Sequence, residues 1–86
     1  MANEIHLKIV TPIELVVDEQ VDEVTAPGEV GEFGILPGHE PFVTTLQNGV
    51  LKYKIGNVEE KLNIEGGLAD VRDNNVSILA DRVVEG

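Results

Sequence analysis

Eighty-six residues leave room for one domain and not for two, since independent domains seldom fall below about 50 residues. Sixteen Asp and Glu against six Lys and Arg give a net charge of −10, which repels phosphate backbones and anionic head groups and disfavours nucleic-acid binding and direct lipid insertion. With no cysteine there is neither a disulfide framework nor a thiolate metal site, so the chain reads as intracellular or at least redox-indifferent.

The start, Met-Ala-Asn-Glu-Ile-His, has no signal-peptide core and no Arg-rich transit pattern, and no apolar run approaches the length of a membrane span. A mature N-terminus at residue 1 is expected. Ile5, Leu7 and Ile9 then alternate with Glu4, His6 and Lys8, the two-residue period of a half-buried strand. Val21 and Val24 break that period and predict either a bulge or a strand wetted on one side. From Pro27 to Pro41 the chain carries Gly28, Gly31, Gly34, Pro37 and Gly38, which predicts short strand pieces joined by tight loops. Leu51, Tyr53 and Ile55 alternate with Lys52 and Lys54. Gly56-Asn57 predicts a hairpin into a strand with Val58, Leu62 and Ile64 on one side. Asp73-Asn74-Asn75 predicts another, joining residues 68 to 71 with residues 76 to 79, because Asn and Asp tolerate positive φ. The whole reads as an all-β flattened antiparallel sandwich or barrel of roughly nine to ten short strands in a single domain, residues 1–86.

Chemical motifs are sparse. The glycines lack the following helix and the Gly-Lys-Ser or Gly-Lys-Thr that phosphate loops need, so turn geometry explains them better. His39-Glu40 is half of a metal site without its other half, because His6 lies far away on an early strand. Asp70 and Asp73-Asn74-Asn75 lack the order of a calcium loop, and the sole serine, Ser77, has no nucleophile context. Lys52-Tyr53-Lys54 reads as a solvated strand face. The acids Asp18, Glu19, Asp22 and Glu23 read as solvated surface, with contact to a basic partner as the alternative.

The run GEVGEFGILPGHEPFVTTLQNGVL, residues 28 to 51, closely resembles the signature of the epsilon subunits of F-type ATP synthases. Its core is Gly31-Glu32-x-Gly34-Ile35-x-Pro37-Gly38-His39-x-Pro41. A second match comprises Gly66-Gly67-x-x-x-Val71 and Asn75-Val76-x-x-Leu79-Ala80-Asp81. With the strand near residues 5 to 11, the resemblance covers essentially the whole chain. It implies an N-terminal β-sandwich without the C-terminal helical hairpin, which should begin where the chain stops at Gly86. It also implies a noncatalytic central-stalk subunit with no cofactor, which docks the gamma subunit to the ring of c subunits and couples proton translocation to ATP synthesis.

The c-subunit loop of that family carries an Arg-Gln-Pro sequence, so Glu32, with Glu29, His39 and Glu40, is the implied c-ring contact. Thr11, Pro12, Val43 and Thr44 are the expected gamma contacts. The implied location is peripheral, on the cytoplasmic face of a bacterial cell membrane or the stromal face of a thylakoid membrane. Two other classes compete: a small acidic ligand-binding β-module relying on Phe33, Phe42 and Tyr53, and a cupin-like metalloenzyme using His39 and Glu40.

Overall fold

Alternation of apolar and polar residues becomes ten strands in a computed structural model that describes residues 4–84. Residues 1–3, read above as a mature start, and residues 85–86, where the hairpin should begin, lie outside the described residues. The strands are β1 Ile5–Val10, β2 Leu15–Val21, β3 Glu23–Gly28, β4 Gly31–Ile35 and β5 Phe42–Thr45, then β6 Gly49–Ile55, β7 Val58–Glu65, β8 Leu68–Arg72, β9 Asn75–Leu79 and β10 Arg82–Val84. They form two five-stranded sheets, β2-β1-β9-β8-β5 and β10-β7-β6-β3-β4. No helix occurs among the described residues.

The inward phase of each alternation meets at the centre. Ile5, Leu7 and Ile9 from β1, Val76 and Ile78 from β9, Leu51 from β6 and Ile64 from β7 are all buried. Every such side chain is aliphatic, and burying one contributes roughly 1.5–3 kcal/mol. Lys52 and Lys54 lie on the opposite phase of β6 from Leu51 and Tyr53, which is the expected solvated strand face. Val58 has the inward parity of Leu62 and Ile64, but it begins β7 and remains 57% exposed.

The predicted turns hold, each for a visible backbone reason. Gly56 lies at φ 62° between β6 and β7, while Asp73 and Asn74 lie at φ 51° and 62° between β8 and β9. Pairing is antiparallel except between β1 and β9, which run parallel with Leu7 opposite Val76 and Ile9 opposite Ile78. No hairpin can join a parallel pair, and the chain between these strands supplies β2, β5 and β8 of the same sheet as well as most of the other.

The break between Val21 and Val24 is neither a bulge nor a half-wet strand. Val21 ends β2 opposite Ile5 in the first sheet, and Val24 lies in β3 opposite Tyr53 and Ile35 in the second. The chain changes sheets at Asp22, whose N–H donates to the Lys54 carbonyl and whose Oδ2 accepts from the Gly56 N–H, both at 2.7 Å. Part of the supposed solvated acid run is therefore a corner brace. The register shift in this region falls instead between Ile9 and Val10.

Candidate functional site

The two edge strands β4 and β5 belong to different sheets and are joined by the signature loop, residues 36–41. The open side between them forms a groove of about 520 Å³. Glu29, Glu32, His39 and Glu40 all line it, so the four residues expected to act together are brought together. Glu29 comes from the turn between β3 and β4, Glu32 from β4, and the other two from the loop.

Local bonds fix the shape of the groove. The Thr45 hydroxyl donates to Glu29 Oε1 at 2.9 Å, tying the β3–β4 turn to the end of β5. The loop closes on itself where the His39 N–H donates to the Leu36 carbonyl at 3.1 Å, with Gly38 at φ 86°. Its free amide at Gly38 donates to Asn74 Oδ1 at 2.8 Å, which anchors the loop to the β8–β9 hairpin. Asn74 is thus a positioning residue that sequence spacing alone could not pair with position 38.

Two aromatic rings form the floor. Phe33 and Phe42 meet edge to face with centroids 5.3 Å apart, and the His39 ring sits 5.0 Å from Phe42. Gly28 makes room for this arrangement, since a Cβ there would stand 2.7 Å from the Phe33 ring. Gly34 is different. It lies within β4 opposite Thr25, has no positive φ, and has open space where a side chain would go. The loop-shape role expected of every signature glycine therefore fits Gly31 and Gly38 but not Gly34, which leaves a bare patch on the outward face of the sheet, two residues from Glu32.

The expected gamma contacts divide. Thr44 sits opposite buried Ala69 and is half-buried, whereas Val43 sits opposite Asp70 on the outward face of the first sheet and is 55% exposed. Both line the acidic groove. Thr11 and Pro12 lie three strands away in the β1–β2 connection, where the Thr11 Oγ1 accepts from the Ile13 and Glu14 N–H groups at 3.3 and 3.2 Å. Between the two sites runs a row that the sequence reading missed: Val10 opposite Leu79, and Leu79 opposite Leu68, all on the outward face. Leu15, opposite Val10 across the register shift, extends it at the β2 edge. Leu15 and Leu79 are about half exposed. The available signal was that Val10, Leu68 and Leu79 are apolar at the outward phase of their strands.

Apart from Val43, the rest of that face is largely polar. His6 Nε2 lies 2.5 Å from Asp18 Oδ1, and this hydrogen bond, more than the nearby charges of His6 and Lys8, holds the Asp18 carboxyl below its ordinary value despite some desolvation. His6 is thereby engaged on β1, apart from the groove. Among the described residues, no three His, Cys, Asp or Glu side chains are grouped so as to hold a metal ion.

A family model for the beta-sandwich domain of the ATP synthase delta/epsilon chain matches residues 4–86. The chain belongs to that family. Within it, the chain is 51% identical over 81 residues to the ATP synthase epsilon chain of Nitratidesulfovibrio vulgaris strain Miyazaki F, covering 94% of this chain and 60% of that relative. It is 44% identical over 86 residues to the ATP synthase epsilon chain of Carboxydothermus hydrogenoformans, covering all of this chain and 64% of the other. The delta/epsilon sandwich thus spans about 60% of the length of these curated relatives.

Among solved structures, a chain in the Euglena gracilis mitochondrial ATP synthase, imaged as OSCP/F1/c-ring in rotational state 1, superposes with a TM-score of 0.89 at 31% identity, over 98% of this chain and 54% of that one. A chain from the central stalk/c-ring structure of the Tetrahymena thermophila mitochondrial ATP synthase shares the fold, with a TM-score of 0.81 at 19% identity, over 98% of this chain and 68% of that one. The resemblance drawn from residues 28 to 51 is the family the whole matched span supports.

Proposed function

We propose that this chain is the β-sandwich part of a noncatalytic rotor subunit of an F-type ATP synthase, folding as one unit over residues 1–86. It docks the gamma subunit to the c ring and so couples proton translocation to ATP synthesis. The observation that carries this reading is the separation of two surfaces on one rigid body: an acidic groove at the signature loop, and an apolar row on the outward face of the first sheet. The first suits a basic loop of the c ring, and the second suits gamma. Its relatives' bacterial sources support a place on the cytoplasmic face of the cell membrane, held there through the complex.

Magnitudes divide the labour between the surfaces. Leu79 is 49% exposed, and covering that half contributes about 1 kcal/mol, so the row including Leu15, Val10 and Leu68 supplies most of the affinity for gamma. Thr11, Pro12 and Val43 flank it. An exposed ion pair at Glu32 contributes about 0–1 kcal/mol and chiefly sets orientation on the c ring.

Pull-down of the 86-residue chain with purified gamma and purified c ring tests the assignment. Both partners should retain it. Leu79→Ser should weaken capture by gamma about fivefold, the equivalent of about 1 kcal/mol, and leave c-ring capture unchanged. Retention by neither partner refutes the proposal.

A further inference from the structure

The second sheet has an open edge on the side away from the groove. In β7 only Asn63, Ile64 and Glu65 pair with β10, and among the described residues nothing pairs with Val58 to Leu62 on that side. The direction of the free backbone groups follows from β6. The Lys54 carbonyl accepts from the Asp22 N–H on the β3 side, so Ile55, Tyr53 and Leu51 turn their N–H and C=O groups toward β7. Their partners Val58, Glu60 and Leu62 are thereby satisfied, and the groups of Glu59 and Lys61 point out of the edge. β2, the last strand of the first sheet on this side, lies against β6, so β7 projects past it and leaves Val58 and Glu60 exposed despite their inward parity.

The side chains of this edge are complementary to themselves. On the outward face Glu59 lies opposite Lys54, but Lys61 lies opposite Lys52, a like-charge pair, and no described acid forms an ion pair with it. A second copy laid antiparallel, with Glu60 on the two-fold axis, sets Glu59 opposite the other copy's Lys61 and Lys61 opposite its Glu59. The free backbone groups then meet as hydrogen-bonded pairs, and Lys61 gains an acid. On the inward phase Val58 meets Leu62 at each end. Glu60 opposes the arrangement, because it would face itself across the axis in the closer, non-hydrogen-bonded kind of pair. We propose that the open stretch of β7 is a strand-pairing site for a second copy of this chain, set in register by Glu59 and Lys61 and held in check by Glu60. Inward-pointing charges commonly protect edge strands in this way. The site shares no residue with either docking surface.

Dilution series of the 86-residue chain and of its Glu60→Gln variant, read by sedimentation equilibrium and by amide hydrogen exchange, test this. Glu60→Gln should dimerise about two- to fivefold more tightly than the parent, the gain from removing one directly opposed like-charge pair. In that dimer exchange should slow at Glu59 and Lys61 and stay unchanged at Val58 and Leu62, whose amides are already bonded to β6. Lys61→Glu removes the clash with Lys52, so the fold should be at least as stable as before. It nevertheless sets acid against acid between copies and should abolish pairing in the Glu60→Gln background. Adding Glu59→Lys to that variant exchanges the two charges and should restore pairing. Failure of the exchange to restore it, equal association of the parent and Glu60→Gln, or slowed exchange spread beyond β7 overturns the proposal. Slow exchange at Glu59 and Lys61 that does not depend on concentration would place the chain's own end on this edge and overturns it too.

Discussion

Gly67→Ala puts the close packing behind the second signature segment to the test. Gly67 sits at φ 126°, and an added Cβ would fall inside the Leu79 carbonyl oxygen and 2.9 Å from the Ala80 Cα. Both obstacles are backbone, and they are held in the β8–β9 ladder and by the Ala80 N–H donating to the Val10 carbonyl at 2.9 Å. Neither can swing aside as a flexible side chain could. The unfavourable φ costs about 1–3 kcal/mol and the steric displacement about 1–3 more, giving roughly 2–6 kcal/mol in all. In a domain of this size each kcal/mol lowers Tm by about 4–8 °C. Gly67→Ala should therefore lower Tm by at least about 8 °C in a thermal melt followed by circular dichroism. Gly34→Ala, with open space and no positive φ, is the internal control and should stay within about 0.5 kcal/mol of the parent. Equal melting of the two variants refutes the distinction between a glycine needed for space and one that leaves a bare face.

Further outcomes follow from single bonds and surfaces. Asn74→Gly keeps a residue comfortable at φ 62° but removes the acceptor for the Gly38 amide, so stability should fall by only about 1 kcal/mol while hydrogen exchange at Gly38 accelerates. The Asp18 carboxyl titrates below its usual value because His6 bonds to it, so the stabilisation from this pair is present above about pH 4 and is lost as pH falls through the lower folded value; His6→Ala should return the NMR-measured Asp18 titration toward 3.8. Gly34→Leu should leave the melting temperature within a few degrees of the parent yet weaken c-ring capture, if the bare outward patch beside Glu32 belongs to that contact.

Strands were legible where apolar residues keep a strict two-residue period, as in Ile5–Val10 and Gly49–Ile55, because alternation reports which face is buried. Turns were legible where positive φ demands particular residues, as at Gly56 and Asp73-Asn74. Sheet membership was not. Val21 and Val24 both point inward but in different sheets, and no local pattern distinguishes a change of sheet from a bulge. The parallel pairing of β1 with β9 depends on contacts some 70 positions apart and leaves no local mark.

The candidate site was legible through the resemblance of one contiguous segment, whose Glu29, Glu32, His39 and Glu40 line one groove in the fold. Residues that shape it from elsewhere were hidden. Asn74 looked like turn chemistry alone, and Phe33 and Phe42, considered only as platforms for a ligand, gave no local sign that they meet edge to face. The outward row of Val10, Leu68 and Leu79 could be seen as a row only once cross-strand register was known.

The most direct measurement of the docking claim is c-ring binding by the parent chain and by Glu32→Lys, each followed from low to high salt, with gamma binding recorded in parallel. The account predicts that charge reversal weakens c-ring binding about five- to tenfold at low salt, that the gap closes as salt screens the contact, and that gamma binding does not change. Undiminished c-ring binding by Glu32→Lys at low salt would contradict it.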